Sequence, residues 1–112
     1  PVAILFHLHG VASRTAPDAT AFVHRRDLWD FDIIAQWTDP AAAEQNIAWA
    51  RTFWQAVAPF STGVYVNHLD TDDNALRVQA AYGANYARLA ALKAKYDPTN
   101  FFRLNHNIEP GA

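Results

Sequence analysis

The sequence contains no cysteine and no methionine among its 112 residues. Without cysteine, the chain can form no disulfide, no thiolate zinc site and no cysteine nucleophile. It has no apolar run near the roughly 20 residues that span a bilayer, and no charged segment before its first apolar run, as a signal peptide would have. A net charge of -2 gives no reason to expect nucleic acid or an anionic membrane as a partner. We therefore expect neither partner, and the cellular compartment stays open.

Apolar and aromatic residues, in contrast, are plentiful. Hydrophobic residues make up 51% of the chain and aromatic residues 13%, which predicts a packed core rather than disorder. A length of 112 residues suits one modest domain. Because the sequence begins at Pro1 inside an apolar strand pattern, we expect a piece of a longer protein.

Periodicity predicts an α+β fold in the order β, β, α, β, α, α. Alternating apolar residues predict three strands, and 3.6-residue periodicity with capping residues predicts three helical stretches. Gly10 begins a predicted turn and loop up to about Thr20. The strands are predicted at 2–9, 28–37 and 63–69, and the helices at 40–58, about 71–82 and 84–96, with Gly83 as an interruption and an irregular tail after the last helix.

Two helices have apolar stripes that predict their packing faces. The first is formed by Ile47, Ala50, Trp54 and Val57. The second is formed by Tyr86, Leu89, Leu92 and Tyr96, and we expect it to be buried. Both stripes indicate helices packed on a sheet or on each other.

Polar side chains share one face on each of two predicted strands. Asp30, Asp32 and Gln36 lie on one face of the second strand, and Tyr65 and Asn67 lie on one face of the third. This face either meets water or lines a cavity, where paired carboxylates could supply a general base. If the two strands are neighbours, the Tyr65 hydroxyl comes within reach of the carboxylates. The alternative is a tyrosine with its ring in the core and its hydroxyl in water.

Two other clusters have simpler explanations. His7 and His9 form an H-x-H pair that could bind a metal, but no third ligand is evident, so two ordinary polar histidines are the preferred interpretation. Three acidic residues, Asp70, Asp72 and Asp73, lack the glycine and terminal glutamate of a calcium loop, and a helix N-terminus explains them. We therefore predict no metal site.

The C-terminal half resembles the signature of the berberine bridge enzyme-like flavoproteins. The matching motifs, in order, are Tyr65-x-Asn67, the acidic turn at Asp70, Tyr82-Gly83, Asn85-Tyr86-x-x-Leu89, the stretch 95–100 followed by Phe102, and Ile108-x-Pro110. Upstream, Thr20-x-Phe22-x-His24-Arg25 and Gln36-Trp37 also match family motifs. His106 differs, because many relatives have Gln at this position. The resemblance extends from about Thr20 to Pro110.

This resemblance implies the C-terminal part of an FAD-linked oxidoreductase with the vanillyl-alcohol-oxidase type fold. Residues 1–69 would belong to a substrate-binding domain, an antiparallel sheet backed by helices, and residues 70–112 to a segment that returns to the FAD domain. Partners would be a small-molecule substrate and the rest of the polypeptide, or a second chain that carries the FAD domain. The His and Cys that bind flavin covalently in relatives would lie upstream.

The same resemblance implies roles for individual residues. Tyr65 matches a tyrosine that lies by flavin and substrate and helps to deprotonate the substrate hydroxyl, and Asn67 matches a flavin-site hydrogen-bonding residue. Asp32 lies where relatives have a substrate-facing polar residue that can act as the base. Asp30 and Gln36 share its predicted face and are expected to contact substrate.

The expected reaction is hydride transfer from an alcohol, carbohydrate or secondary metabolite to FAD, with oxygen as the electron acceptor. These 112 residues alone are expected to be inactive, because they lack the FAD cradle. The alternative is a non-catalytic α/β binding module that kept the fold without the chemistry.

Overall fold

The computed structural model describes residues 1–69 and 75–111. The chain divides into two compact units. The sheet unit comprises Pro1–Ser13 and Arg26–Thr62, and the helical unit comprises Arg14–Arg25 and Gly63–Ala112. The predicted α+β class is confirmed, and within the described ranges no helix is both long and apolar enough to cross a bilayer. The assignment of 1–69 and 70–112 to two domains of a larger protein stays a prediction.

The sheet unit is built on one antiparallel pair of strands. Strand β1 (Val2–Leu8) pairs with β2 (Leu28–Ile34) in a register that runs from Val2 opposite Ile34 to Leu8 opposite Leu28. Alternating β-branched and aromatic residues favour this pleated pair. The second strand is three residues shorter than predicted, because β1 begins at Val2 and supplies no further backbone partners beyond Ile34.

A short helix, α1 (Val11–Arg14), replaces the start of the predicted loop. Gly10 precedes it with a φ of 66°, a left-handed conformation that glycine adopts without steric cost. The Ser13 hydroxyl donates to the Gly10 carbonyl at 3.1 Å. The turn at Gly10 was predicted, whereas four helical residues are too few to produce a periodic signal.

Helix α2 (Ala43–Val57) confirms the helix predicted after Asp39. A 3₁₀ turn, Pro40–Ala42, leads into it, and the Asp39 carboxylate accepts a hydrogen bond from the Ala41 amide at 2.9 Å. Phe53 packs edge-on against Phe31 of β2, with ring centroids 5.7 Å apart.

The apolar stripe of α2 is only partly covered. Ile47 is 39% exposed and Trp54 40%, and no residue of the helix is fully buried. The sheet unit contains two strands, and so narrow a sheet does not cover the whole stripe of a 15-residue helix.

The helical unit contains α3 (Ala75–Tyr82) and α4 (Tyr86–Tyr96), joined by a 3₁₀ turn at Gly83–Asn85. Gly83 interrupts the two helices as predicted, with a φ of 52°. The predicted helix cap at Thr71 or Asp72 lies outside the described residues.

The stripe predicted to be buried on α4 is covered only in part, because Tyr86 and Leu89 are half-buried and the other two residues are exposed. Leu92 is 42% exposed and Tyr96 74%, whereas Ala90 is buried. The Gly111 amide of the tail donates to the Ala90 carbonyl at 3.1 Å, so the tail contacts the helix at Ala90. Leu92 and Tyr96 remain exposed.

The prediction of a third strand at 63–69 is wrong. Its residues form an extended segment that ends in a 3₁₀ turn, Val66–His68. The turn is closed by local bonds, from the His68 amide to the Tyr65 carbonyl at 2.9 Å and from the Leu69 amide to the Val66 carbonyl at 3.3 Å. The alternation of Val64 and Val66 still has a physical cause, because both pack on a small core formed by Leu69, Val78 and Ala81.

Candidate functional site

Tyr65 and Asn67, predicted to share one face, lie together. The Nδ2 atom of Asn67 donates a hydrogen bond to the Tyr65 hydroxyl oxygen at 2.7 Å. Tyr65 is half-buried and Asn67 is exposed. The 3₁₀ turn brings the two side chains into contact, so the prediction that they are neighbours is confirmed although the predicted strand is not.

The ring of Tyr65 is oriented by two aromatic neighbours. Phe22 lies edge-on to it, with ring centroids 5.7 Å apart and an interplanar angle of 86°. His68 lies edge-on at 4.9 Å and 76°. Edge-to-face contacts of this kind favour one ring orientation, so the hydroxyl of Tyr65 is held in one direction.

Phe22 belongs to a short connector, Thr20–Arg25, that is braced by Arg25. The Nε of Arg25 donates to the Phe22 carbonyl at 3.2 Å, and its guanidinium donates to the Thr20 hydroxyl at 2.7 Å. The same guanidinium lies 4.9 Å from the centroid of the Phe22 ring. These contacts give a structural role to Thr20, Phe22 and Arg25 of the Thr-x-Phe-x-His-Arg motif. The spacing of the motif alone did not predict these contacts.

Two histidines bond to the backbone on either side of the pair. The Nε2 atom of His24 donates to the Val64 carbonyl at 2.8 Å, and that of His106 donates to the Leu69 carbonyl at 3.0 Å. No sequence pattern linked these histidines to Tyr65, because each contact joins residues 37 or more positions apart.

Asp30 and Asp32 lie on β2, opposite Phe6 and Ile4 of β1, and both are half-buried. They therefore share one face of the strand, as predicted. Gln36 lies beyond the end of β2 and is exposed, so strand alternation does not place it on this face. The carboxylates belong to the sheet unit, and Tyr65 with Asn67 belongs to the helical unit. The roles predicted for Asp30, Asp32 and Gln36 stay predictions.

His7 and His9 are part of an aromatic stack at one end of the sheet. The ring of His7 lies 4.5 Å from that of His9 and 4.3 Å from that of Trp29. The Nε2 atom of His7 donates to the Asp27 carboxylate at 2.7 Å. Stacking and a carboxylate partner account for both histidines as polar side chains on an aromatic surface.

The chain is similar to known proteins in sequence and in fold. Residues 64–109 match the family model described as berberine and berberine like. The FAD-linked oxidoreductase YvdP of Bacillus subtilis is 38% identical over 90% of this chain, and berberine bridge enzyme-like 17 of Arabidopsis thaliana is 32% identical over 92%. The predicted berberine bridge enzyme-like resemblance is confirmed.

Parts of two solved structures have the fold of this chain. The berberine bridge enzyme-like 1 protein of Physcomitrella patens matches with a TM-score of 0.75 and 29% identity over 89% of this chain. A chitooligosaccharide oxidase matches with a TM-score of 0.63 and 31% identity over the same share. This chain spans 22% of the length of YvdP, 23% of the Arabidopsis protein, 21% of the moss protein and 23% of the oxidase.

The berberine-like segment, residues 64–109, begins at the residue before Tyr65. It therefore contains Tyr65, Asn67 and His106. FAD, the cofactor predicted from the sequence, is the cofactor that the names of the bacterial relatives state.

The chemistry of the pair fits a flavin. The pyrimidine edge of an isoalloxazine offers carbonyl acceptors and a ring N–H donor, and a carboxamide can both donate and accept. Asn67 is exposed, and only one of its amide hydrogens is needed for the bond to Tyr65. Its second amide hydrogen and its carbonyl oxygen suit this edge.

Proposed function

We propose that the protein is an FAD-dependent oxidase that removes a hydride from an alcohol, carbohydrate or secondary-metabolite substrate, with oxygen as electron acceptor. The observation that carries this proposal is the hydrogen bond from Asn67 to the Tyr65 hydroxyl oxygen at the start of the berberine-like segment. The likeness to a chitooligosaccharide oxidase, which is named for a sugar substrate, favours the carbohydrate class.

In this function Tyr65 acts on the hydroxyl group of the substrate. Acting as the phenolate, its oxygen takes the hydroxyl proton and becomes the neutral phenol as the adjacent carbon loses its hydride. The Asn67 amide donates to the same oxygen and so stabilises the negative charge that the phenolate carries before the proton arrives. Phe22 and His68 hold the ring, which keeps this oxygen in one position.

When bound, FAD supplies the hydride acceptor. Asn67 and Tyr65 are the residues of this chain that would hold its polar edge. Asp32 is proposed as a carboxylate that assists proton removal, and Asp30 and Gln36 as substrate contacts. Each of these three roles is tested by replacing that residue alone and measuring the turnover of substrate.

The domain assignment is part of the proposal. Residues 1–69 would form part of a substrate-binding domain and 70–112 a segment on the FAD domain, so the partner is the rest of the polypeptide or a second chain. Four apolar side chains at the C-terminal end are 74–87% exposed: Tyr96, Phe101, Phe102 and Leu104. Such a patch is typical of a surface that another domain covers, which supports this assignment.

The proposal is tested by replacing Tyr65 with Phe in the full-length, flavin-loaded protein. Loss of the phenol oxygen should lower kcat by at least about 100-fold, because general-base catalysis contributes on this order. The flavin absorbance should be unchanged. Tyr86→Phe is the matched control, because Tyr86 packs against Tyr82 within the helical unit and lies outside the Tyr65–Asn67 pair and outside the exposed C-terminal patch; it should keep the wild-type rate.

A wild-type rate in Tyr65→Phe would refute the role of Tyr65. A full-length protein that purifies without flavin absorbance and does not take up added FAD would instead support the alternative, a non-catalytic α/β binding module.

A further inference from the structure

We propose that His24 and His106 are positioning residues for the Tyr65–Asn67 pair. The two histidines, called the histidine clamp below, bond to the backbone carbonyls of Val64 and Leu69, which lie on either side of the pair. The inference rests on the proposed function for its catalytic consequence. Its structural content is independent of that function.

His24 holds the N-terminal side of the pair. Its Nε2 atom lies 2.8 Å from the carbonyl oxygen of Val64, the residue before Tyr65. The ring also lies against Gly63, where an added Cβ atom would come within 2.6 Å of the ring's Cε1. A glycine at this position is therefore required for the ring to reach the carbonyl.

His106 holds the C-terminal side. Its Nε2 atom lies 3.0 Å from the carbonyl oxygen of Leu69, which is 8% exposed and part of the small core. Since both acceptors are carbonyls, each histidine must carry a proton on Nε2. The side-chain amide N–H of a glutamine can donate the same hydrogen bond.

The clamp matters because, among the residues that the structure describes, the backbone–backbone bonds within the segment between the two carbonyls are local. The 3₁₀ turn at Val66–His68 is closed by its own amides, and 3₁₀ bonds have poorer geometry than α-helical ones. Holding both ends restricts where Tyr65 and Asn67 can move. Catalytic groups displaced by about 1 Å can lose on the order of 100-fold in rate, so this restriction has a catalytic consequence.

The test uses the full-length, flavin-loaded protein with alanine and glutamine at each histidine. His24→Ala and His106→Ala remove the donor, whereas His24→Gln and His106→Gln keep an N–H that can reach the carbonyl. His9→Ala is the control, because His9 stacks on His7 in the other unit. Two measurements are made, hydrogen exchange of the backbone amides of residues 64–69 and the steady-state kcat and KM.

We expect each alanine variant to speed exchange at the His68 and Leu69 amides by about 10-fold or more, since the turn opens more often. We expect kcat to fall by about 10-fold with KM within about 2-fold, because the misplaced group acts in the transition state. Each glutamine variant should restore both quantities to within about 3-fold of wild type, a recovery that a merely space-filling role would not produce.

Exchange at wild-type rates in both alanine variants would overturn the clamp, whatever the activity. Faster exchange with wild-type kcat, in a protein whose Tyr65→Phe variant is inactive, would overturn the positioning role and leave the proposed function intact. If Tyr65→Phe is fully active, the proposed function fails. In that case faster exchange that glutamine reverses still supports the clamp as a structural device, and unchanged exchange refutes it.

Discussion

Different interactions stabilise the sheet unit and the helical unit, each within itself. The sheet unit has a regular backbone ladder between β1 and β2 and aromatic edge contacts on α2, yet none of its residues is buried. The helical unit has no strand in its described residues, but it contains all five buried residues of the described chain: Leu69, Val78, Ala81, Asn85 and Ala90.

Side chains that bond to distant backbone carbonyls are the second difference. In the helical unit, such bonds come from His24, His106, Asn85 and Arg88, each across 37 or more positions. In the sheet unit, backbone hydrogen bonds between β1 and β2 connect residues that are distant in the chain. We therefore expect equivalent side-chain substitutions to cost more in the helical unit, where they remove long-range ties.

The largest expected effect is at Asn85. Its Nδ2 atom donates to the Pro17 carbonyl at 2.7 Å and to the Thr20 carbonyl at 3.1 Å, and the residue is 8% exposed. Asn85→Ala leaves both carbonyls without this donor, so the free energy of unfolding should fall by about 3 kcal/mol. Denaturant unfolding of the protein measures this change.

Asn46→Ala is the matched control in the sheet unit. Asn46 also donates to a carbonyl, but to that of Ala42, four residues earlier at the N-cap of α2. Its loss should cost about 1 kcal/mol or less. Equal costs at Asn85 and Asn46 would contradict the contrast between the units.

A second, smaller contrast concerns apolar burial. Val78 is 5% exposed in the core of the helical unit, whereas Val2 on β1 is 46% exposed. Val78→Ala should lower the free energy of unfolding by about 2 kcal/mol, from lost transfer energy and a residual cavity. Val2→Ala removes the same two methyl groups and should cost about 0.5 kcal/mol. Thermal unfolding of both variants, under identical conditions, compares them, and a larger loss for Val2→Ala would reverse the comparison.

The smallest expected effect is a pH dependence at the end of α4. The hydrogen bond from Lys93 is the main cause that holds the pKa of Asp97 below its ordinary value of 3.8, and the Phe101 and Phe102 amides, at 2.7 and 3.0 Å, act in the same direction. Because this pKa is lower in the folded state, the stabilisation is complete above the ordinary value and is lost as pH falls through the folded value.

Asp97→Asn should remove this part of the pH dependence, since an amide does not ionise in this range. The melting temperature of the wild type should therefore fall more steeply than that of the variant as pH drops below about 4. Parallel curves for the two proteins would show that the carboxylate contributes no acid-labile stability. Glu44→Gln is the control, because it removes an exposed carboxylate from the sheet unit.

Several features followed from the sequence because their causes are local. Alternation predicted β1 and β2, and Asp39 with Pro40 predicted the start of the next helix, which the cap geometry confirms. Gly83 predicted the break between the last two helices, where its positive φ is observed. The pairing of Tyr65 with Asn67 was also predictable, because residues two apart meet in several backbone conformations.

Other features were not predictable because alternation has more than one cause. Val64 and Val66 alternate with Tyr65 and Asn67, a pattern that is typical of a strand. The segment has no strand partner in the described structure and forms a 3₁₀ turn instead. The prediction of a buried stripe on α4 failed for a related reason. Periodicity identifies an apolar face, but it does not say how much of that face the tertiary structure covers.

By itself, the sequence determined the two strands, the three longer helices, the Asp39 cap and the family resemblance, because each depends on residues close together in the chain or on motifs in fixed order. Only the tertiary structure decided that His24 and His106 hold the turn that carries Tyr65 and Asn67. These bonds join histidine rings to backbone carbonyls far away in the chain. A carbonyl acceptor is present at every residue, so no side-chain pattern marks which one a histidine will bind.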